Sequence, residues 1–153
     1  MQKKNNFSHI LICEDDIEFL NKELFISQLN KFLKTITDWD VILLAGNNMI
    51  PYIPVNDNCI KVQNCQTTTG YLVKNDYYDK LINNYKEGIN LFMKNPDKGK
   101  LYSIDKYWLN LQKEDNWYLI TPLSVVQRID YSDIEKKRTN FQKYMLDYNK
   151  CYK

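Results

Sequence analysis

His9-Ile10-Leu11-Ile12-Cys13-Glu14-Asp15-Asp16 is the stretch on which the fold turns. An apolar run that stops abruptly in three carboxylates reads as a buried strand, with its acids at the carboxyl edge of a sheet. Open α/β sheets form their ligand crevices at that edge. Adjacent like charges repel, so the cluster calls for a counter-cation, and hard carboxylate oxygens suit Mg²⁺ or Mn²⁺. A second reading stands beside this one: Asp15 or Asp16 caps a following helix, whose N-terminus favours negative charge. A cap accounts for one acid rather than three.

Working outward, Phe19, Leu20, Leu24, Leu29, Phe32, Leu33 and Ile36 recur at helical spacing, which predicts an amphipathic helix over 17–36. Asp38-Trp39-Asp40 ends it, and Val41 to Leu44 reads as a second buried strand. Strand, helix and strand with uninterrupted apolar cores predict a right-handed βαβ unit with parallel strands. Pro51 to Asn58 reads as a loop. Cys59 to Val62 and Thr69 to Val73 read as further short strands. Asn75 is placed to cap a helix from Asp76 to about Met93. A turn is expected at 95–99, a short helix at 103–112, and a strand at 117–120 closed by Pro122. Ser132 and Glu135 have the spacing of a capping box, opening a helical, lysine-rich tail from Asp133 to about Tyr148.

The totals bound the class. A chain of 153 residues is one domain's worth, so 1–153 is read as a single domain. Lys and Arg number 21 against 19 acids, interspersed, and no basic stripe argues for nucleic acid. The 12 tyrosines exceed what a small core needs; they suit a ligand cleft, although codon bias explains most of that richness. Of four cysteines none forms a CxxC pair, and His9 is the single histidine, which argues against a zinc site. Cys13 reads as a buried thiol, and Cys59 and Cys65 are close enough to meet across a hairpin. No run reaches transmembrane length, and no signal-type stretch follows Met1, so a soluble cytoplasmic protein is expected.

Three more segments carry polar chemistry. Gln66-Thr67-Thr68-Thr69-Gly70-Tyr71 sets hydroxyls before a glycine, suited to sugar hydroxyls or phosphate oxygens; it reads equally as a β-rich segment with Gly for close backbone approach. Asp105, beside Tyr107 and Trp108, has the setting of a general base in a sugar pocket and equally that of a first-turn helix acid. Gln127 and Arg128 stand within reach of a donor phosphate.

Taken in order, these pieces resemble glycosyltransferase family 25, which covers lipooligosaccharide galactosyltransferases and the collagen galactosyltransferase group. The resemblance runs from Ile10-Leu-Ile-Cys-Glu-Asp-Asp16 through Asp38-Trp-Asp-Val-Ile-Leu-Leu44 and Thr67-Thr-Thr-Gly-Tyr-Leu-Val73. It continues through Asp105 and Pro122 to Gln127 and Ser132-Asp-Ile134, covering most of the chain. It implies an α/β, GT-A-like (Rossmann-like) mixed sheet flanked by helices, and transfer of a hexose, often galactose, from a UDP-sugar to a glycan or protein acceptor. It implies Glu14 and Asp16 as ligands of Mn²⁺ or Mg²⁺, Asp105 as the catalytic base or acceptor-positioning acid, and Thr68, Thr69, Gly70 and Gln127 near the donor. Family members carry a substantial segment before the acidic triplet, whereas thirteen residues precede Glu14 here. The pattern is therefore that of an N-terminally truncated member, inactive alone or completed by a homo-oligomer or partner chain that finishes the donor site. A degenerate response-regulator receiver used as a binding module is the rival: it has the acidic strand end but Ala45 where the phospho-acceptor Asp belongs. A receiver needs a fully parallel five-stranded sheet; the transferase reading expects mixed strands after Cys59.

Overall fold

The computed structural model describes residues 7–132 and 136–151. In chain order the first elements are β1 (His9–Cys13), β2 (Ile17–Phe19), α1 (Lys22–Thr35), β3 (Val41–Leu43), β4 (Asn47–Asn48), β5 (Tyr52–Asn56), β6 (Cys59–Val62), β7 (Cys65–Gln66) and β8 (Gly70–Lys74). Then come α2 (Tyr78–Lys94), α3 (Gly99–Tyr102), α4 (Ile104–Tyr107), α5 (Leu109–Glu114), β9 (Trp117–Ile120), β10 (Val125–Gln127), β11 (Asp130–Ser132), β12 (Lys137–Thr139) and α6 (Gln142–Met145).

Six strands form one mixed sheet in the order β1-β8-β3-β9-β6-β5, so the fold is α/β with a mixed sheet and helices. Only β3 and β9 are parallel neighbours; every other pairing in the sheet is antiparallel. β1 and β3 each run antiparallel to β8, so they point the same way without touching. The expected βαβ unit is corrected accordingly: β8 is inserted between the two strands that flank α1. The carboxyl ends of β1, β3 and β9 consequently share one edge of the sheet.

Alternation along the strands sends side chains to two cores. One face buries Val41, Leu43, Tyr71 and Val73 with Tyr77 and Leu81 of the α2 region and with Trp108, Leu111 and Trp117. The other buries Ile42, Leu44 and Tyr118 under Phe25 and Phe32 of α1, with Val125, Val126 and Met145. Trp108 and Trp117 are fully buried and meet edge to face at 5.2 Å.

Several expectations are corrected by these packings. Ile17–Phe19 is not helical; it is a strand paired with β10, and α1 starts only after Asn21, whose Oδ1 accepts from the Leu24 amide at 2.9 Å. An Asn cap outcompetes the apolar period of the preceding residues because it satisfies a free helix N–H. Pro51 to Asn58 contains β5, on the far edge of the sheet, where Pro54 needs no inward donor. Asn75 opens a 3₁₀ turn, Asn75–Tyr77, and its side chain caps nothing there. The turn at 95–99 includes a 3₁₀ turn over Pro96–Lys98. The helix expected at 103–112 is broken into α4 and α5. The tail, within the described residues, is β12 followed by the four-residue α6 rather than one long helix. Ser132 pairs with Lys137 as a strand residue, and its capping-box partner Glu135 lies outside the described residues. Cys13 is exposed rather than buried, because β1 is an edge strand, while Cys59 and Cys65 are both buried free thiols. No helix among the described residues is long and apolar enough to cross a membrane.

Candidate functional site

The acids at the end of β1 are positioned by two neighbours. On one side the ladder to β8 extends one residue, with the Glu14 amide donating to the Thr69 carbonyl at 3.0 Å. On the other, the β2–β10 ribbon places Gln127 opposite Ile17, and the Arg128 amide donates to the Asp16 carbonyl at 2.7 Å. Glu14 thus lies between two segments distant in sequence. Its Oε1 accepts a short hydrogen bond from the Thr68 hydroxyl, and its Oε2 accepts from Gln127 Nε2 at 2.8 Å.

Asp16 is the unsatisfied member. Its Oδ1 is buried and has no hydrogen-bond partner. Desolvation, followed by the negative charges of Glu14 and Asp15, holds its carboxyl above the usual carboxylate range, against the opposing pull of a hydrogen bond from its own backbone amide and of Arg128. A buried carboxylate oxygen without a donor costs stability unless a cation or proton arrives. Asp15 is exposed.

The threonine loop connects this cluster to Asp105. Thr67 has φ 73°, a left-handed conformation that β-branched residues rarely hold. Its amide donates to Asp105 Oδ2 at 3.3 Å, and Ser103 Oγ donates to Asp105 Oδ1 at 2.8 Å. Thr68, the next residue, bonds Glu14. Two acids ninety-one residues apart in sequence therefore grip consecutive residues of one loop. The loop is anchored from beneath: Gln112 Oε1 accepts from the Cys65 amide (2.8 Å), while Gln112 Nε2 and Trp108 Nε1 both donate to the Cys65 carbonyl (2.7 and 3.0 Å). Lys106 makes a short hydrogen bond to Gln66 on the same loop.

The sequence-derived site residues Glu14, Asp16, Thr68 and Gln127 come together, with Asp105 joined to them through Thr67. Thr69 and Gly70 are at the same place but buried. A Cβ on Gly70 would lie 2.7 Å from Ile17 Cδ1, so this glycine admits the β2 strand against the sheet. Lys106 was not among the residues singled out for a role, and Thr67 was read for its hydroxyl rather than for the backbone conformation and amide that bond Asp105. No local signal marks a threonine for positive φ, and Lys106 gains its position only when α4 packs beside β7.

The fit to a divalent ion rests on Asp16 Oδ1 and on the oxygen lone pairs of Glu14 that its two donors leave open. Mg²⁺ normally takes one or two carboxylates and fills its octahedron with water and substrate phosphate oxygens. The pair meets that lower requirement. Among the described residues, no group of three or more His, Cys, Asp or Glu is arranged to hold an ion alone.

Two concavities lie elsewhere. One of about 490 Å³ is lined by Tyr52, Asn56, Asp57, Pro122 and Tyr148 among others, and one of about 480 Å³ by Pro51, Gln63, Asn64, Leu109 and Lys113. Neither includes a residue of the acidic cluster. The cluster is the better candidate, because among the described residues it alone combines a buried unpartnered carboxylate, a strained backbone and side chains gathered from four segments. No family model, curated protein or solved structure matches the chain.

Proposed function

We propose that the chain is a glycosyltransferase-like protein with a GT-A-like fold, binding a UDP-sugar and a divalent cation at Glu14 and Asp16 and directing a hexose to a glycan or protein acceptor. The observation that carries this reading is the buried, unpartnered Asp16 Oδ1 beside Glu14 at the shared carboxyl edge of β1, β3 and β9. In a mixed sheet this is the edge where a phosphate-bearing ligand has room. The fully parallel sheet of a receiver domain is not the arrangement found, since β3–β9 is the single parallel pairing in the six-stranded sheet.

Within this reading each residue has a defined task. Mn²⁺ or Mg²⁺, when bound, supplies positive charge to a leaving diphosphate. Gln127 and Thr68 hold the Glu14 carboxylate in one orientation by donating to its two oxygens. Arg128, whose guanidinium bonds Asp130 at 3.0 Å and is half exposed, stands next to the cluster as a cation for phosphate oxygens. Asp105 would accept the proton of an acceptor hydroxyl on an oxygen lone pair that Ser103 and the Thr67 amide leave open.

Thermal-shift titration with UDP, with and without Mn²⁺, tests the reading. The expected result is stabilisation that needs both components and is lost in Asp16→Ala. Absence of any metal-dependent response to UDP or UDP-sugars would overturn it.

A further inference from the structure

β1 has the sequence of an interior strand and the position of an edge strand. Ile10 and Ile12 face the core shared with α2, and Leu11 faces the opposite side, where it stays 57% exposed. Its register with β8 fixes which backbone groups remain open. The Glu14 amide and the Ser8 carbonyl both bond toward β8, so residues 8, 10, 12 and 14 spend their hydrogen bonds inward. His9, Leu11 and Cys13 therefore present their N–H and C=O groups outward. None of the three is a lysine, an arginine, a carboxylate or a proline, and the β1–β8 pairing has no bulge. The opposite edge differs: β5 carries Pro54 and a register shift between Pro54 and Asn56, two devices that blunt an edge against further pairing.

α2 also carries exposed apolar side chains. On α2, Gly88 receives Tyr107, while Ile82, Ile89 and Met93 lie on the other flank at helical spacing, 46%, 50% and 72% exposed. Among the described residues nothing covers them.

We propose that β1 is the seam of a homodimer, in which two copies pair their β1 strands antiparallel about a two-fold axis at Leu11, making one sheet continuous through both. The outward set is self-complementary: Leu11 meets its own copy, and His9 meets the partner's Cys13 on each side. Three such pairs form about six backbone hydrogen bonds. The axis stands perpendicular to the sheet, so Ile10 and Ile12 of both copies lie on the α2 face and both Leu11 side chains on the other. Every apolar position of the strand is then covered, as its sequence demands. Charge permits the pairing, because the strand carries no lysine, arginine or carboxylate. The two acidic triplets fall at opposite ends of the seam, about 20 Å apart at ~3.4 Å per residue, beyond the screening length. In this register Glu14 lies opposite the partner's Ser8, so the second copy borders the candidate site. A closed isologous interface of this kind uses one patch twice.

Light scattering coupled to size exclusion, run from low to high micromolar concentration, tests the proposal without reference to any substrate. The wild type should be a dimer. Leu11→Lys should halve the apparent mass with an unchanged circular-dichroism spectrum, and Ile53→Lys on the β5 edge should remain dimeric. A wild type that is monomeric throughout, the result expected if another polypeptide supplies the strand, overturns it. So does a dimer that survives Leu11→Lys or is lost in Ile53→Lys. Should Leu11→Lys fail to fold, hydrogen exchange on the wild type decides. Protection of the His9, Leu11 and Cys13 amides in the dimer supports the seam, and rapid exchange at all three removes it.

Discussion

Gln127 Nε2 donates to Glu14 Oε2 at 2.8 Å across 113 residues of sequence. The bond joins the end of the first sheet strand to the end of β10, and the hydrogen bond that the Arg128 amide donates to the Asp16 carbonyl repeats the connection through the backbone. Replacing Gln127 by Ala should cost about 1.5–3 kcal/mol, the usual net worth of a hydrogen bond to a charged group. Gln127→Glu should cost more, since it sets a fourth carboxylate against three. Urea denaturation of both variants checks this, and equal midpoints for Gln127→Glu and wild type at neutral pH would count against the bond.

Gly70 and Ile17 form a second dependency. A methyl group at 70 meets Ile17 Cδ1 at 2.7 Å, so Gly70→Ala should destabilise by about 1–3 kcal/mol through overpacking. The obstacle is the end of one side chain. Ile17→Val should therefore recover part of the loss in the double variant, which a thermodynamic cycle from denaturation curves would measure.

Asp40 offers the clearest pH dependence. Burial, the largest cause, raises its carboxyl above the usual range, against the opposing hydrogen bond from the Asn116 amide at 2.8 Å. Because the folded state then binds its proton more tightly than the unfolded chain, acidification through this window favours folding, and stability declines as pH rises through the raised value. Asp40→Asn keeps an acceptor for Asn116 without the charge. It should melt above wild type at neutral pH, with the difference shrinking as pH falls into the ordinary carboxylate range. A difference independent of pH would contradict the assignment.

The cysteines should separate by exposure. Burial pushes the Cys59 thiol up to about 11 and Cys65 higher still, whereas Cys13 and Cys151 are exposed. The thiolate is the reacting species. A maleimide at mildly alkaline pH should label Cys13 and Cys151 in the folded protein, with Cys13 the slower because partial burial raises its thiol too. All four should react in denaturant. Labelling of Cys59 at the rate of Cys151 would show that the β6–β9 core opens readily.

Much of the secondary structure was legible because it depends on neighbours in sequence. The apolar runs at His9–Cys13, Val41–Leu43, Cys59–Val62 and Trp117–Ile120 mark strands without reference to anything distant, and the helical period marks α1 and α2. The errors share one cause. Ile17–Phe19 continues the helical pattern and yet pairs with β10, because its backbone partners come from residues more than a hundred positions later. Tyr52–Asn56 looks like a proline-bearing loop and becomes a strand, because an edge position asks nothing of the proline nitrogen. The site divides in the same way: the acids, the threonines and Gln127 were visible as residue types, but the positive φ of Thr67 was not.

What the sequence determined by itself is five of the six strands of the main sheet, the two main helices and the presence of carboxylates where one strand ends, all consequences of local hydrophobic pattern. Tertiary structure alone decided that β8 enters between β1 and β3, that the acidic strand is an edge, and that Glu14 and Asp105 converge on the threonine loop with Gln127 bonded to Glu14. Those outcomes depend on which distant backbone groups satisfy one another, and no local pattern specifies that choice.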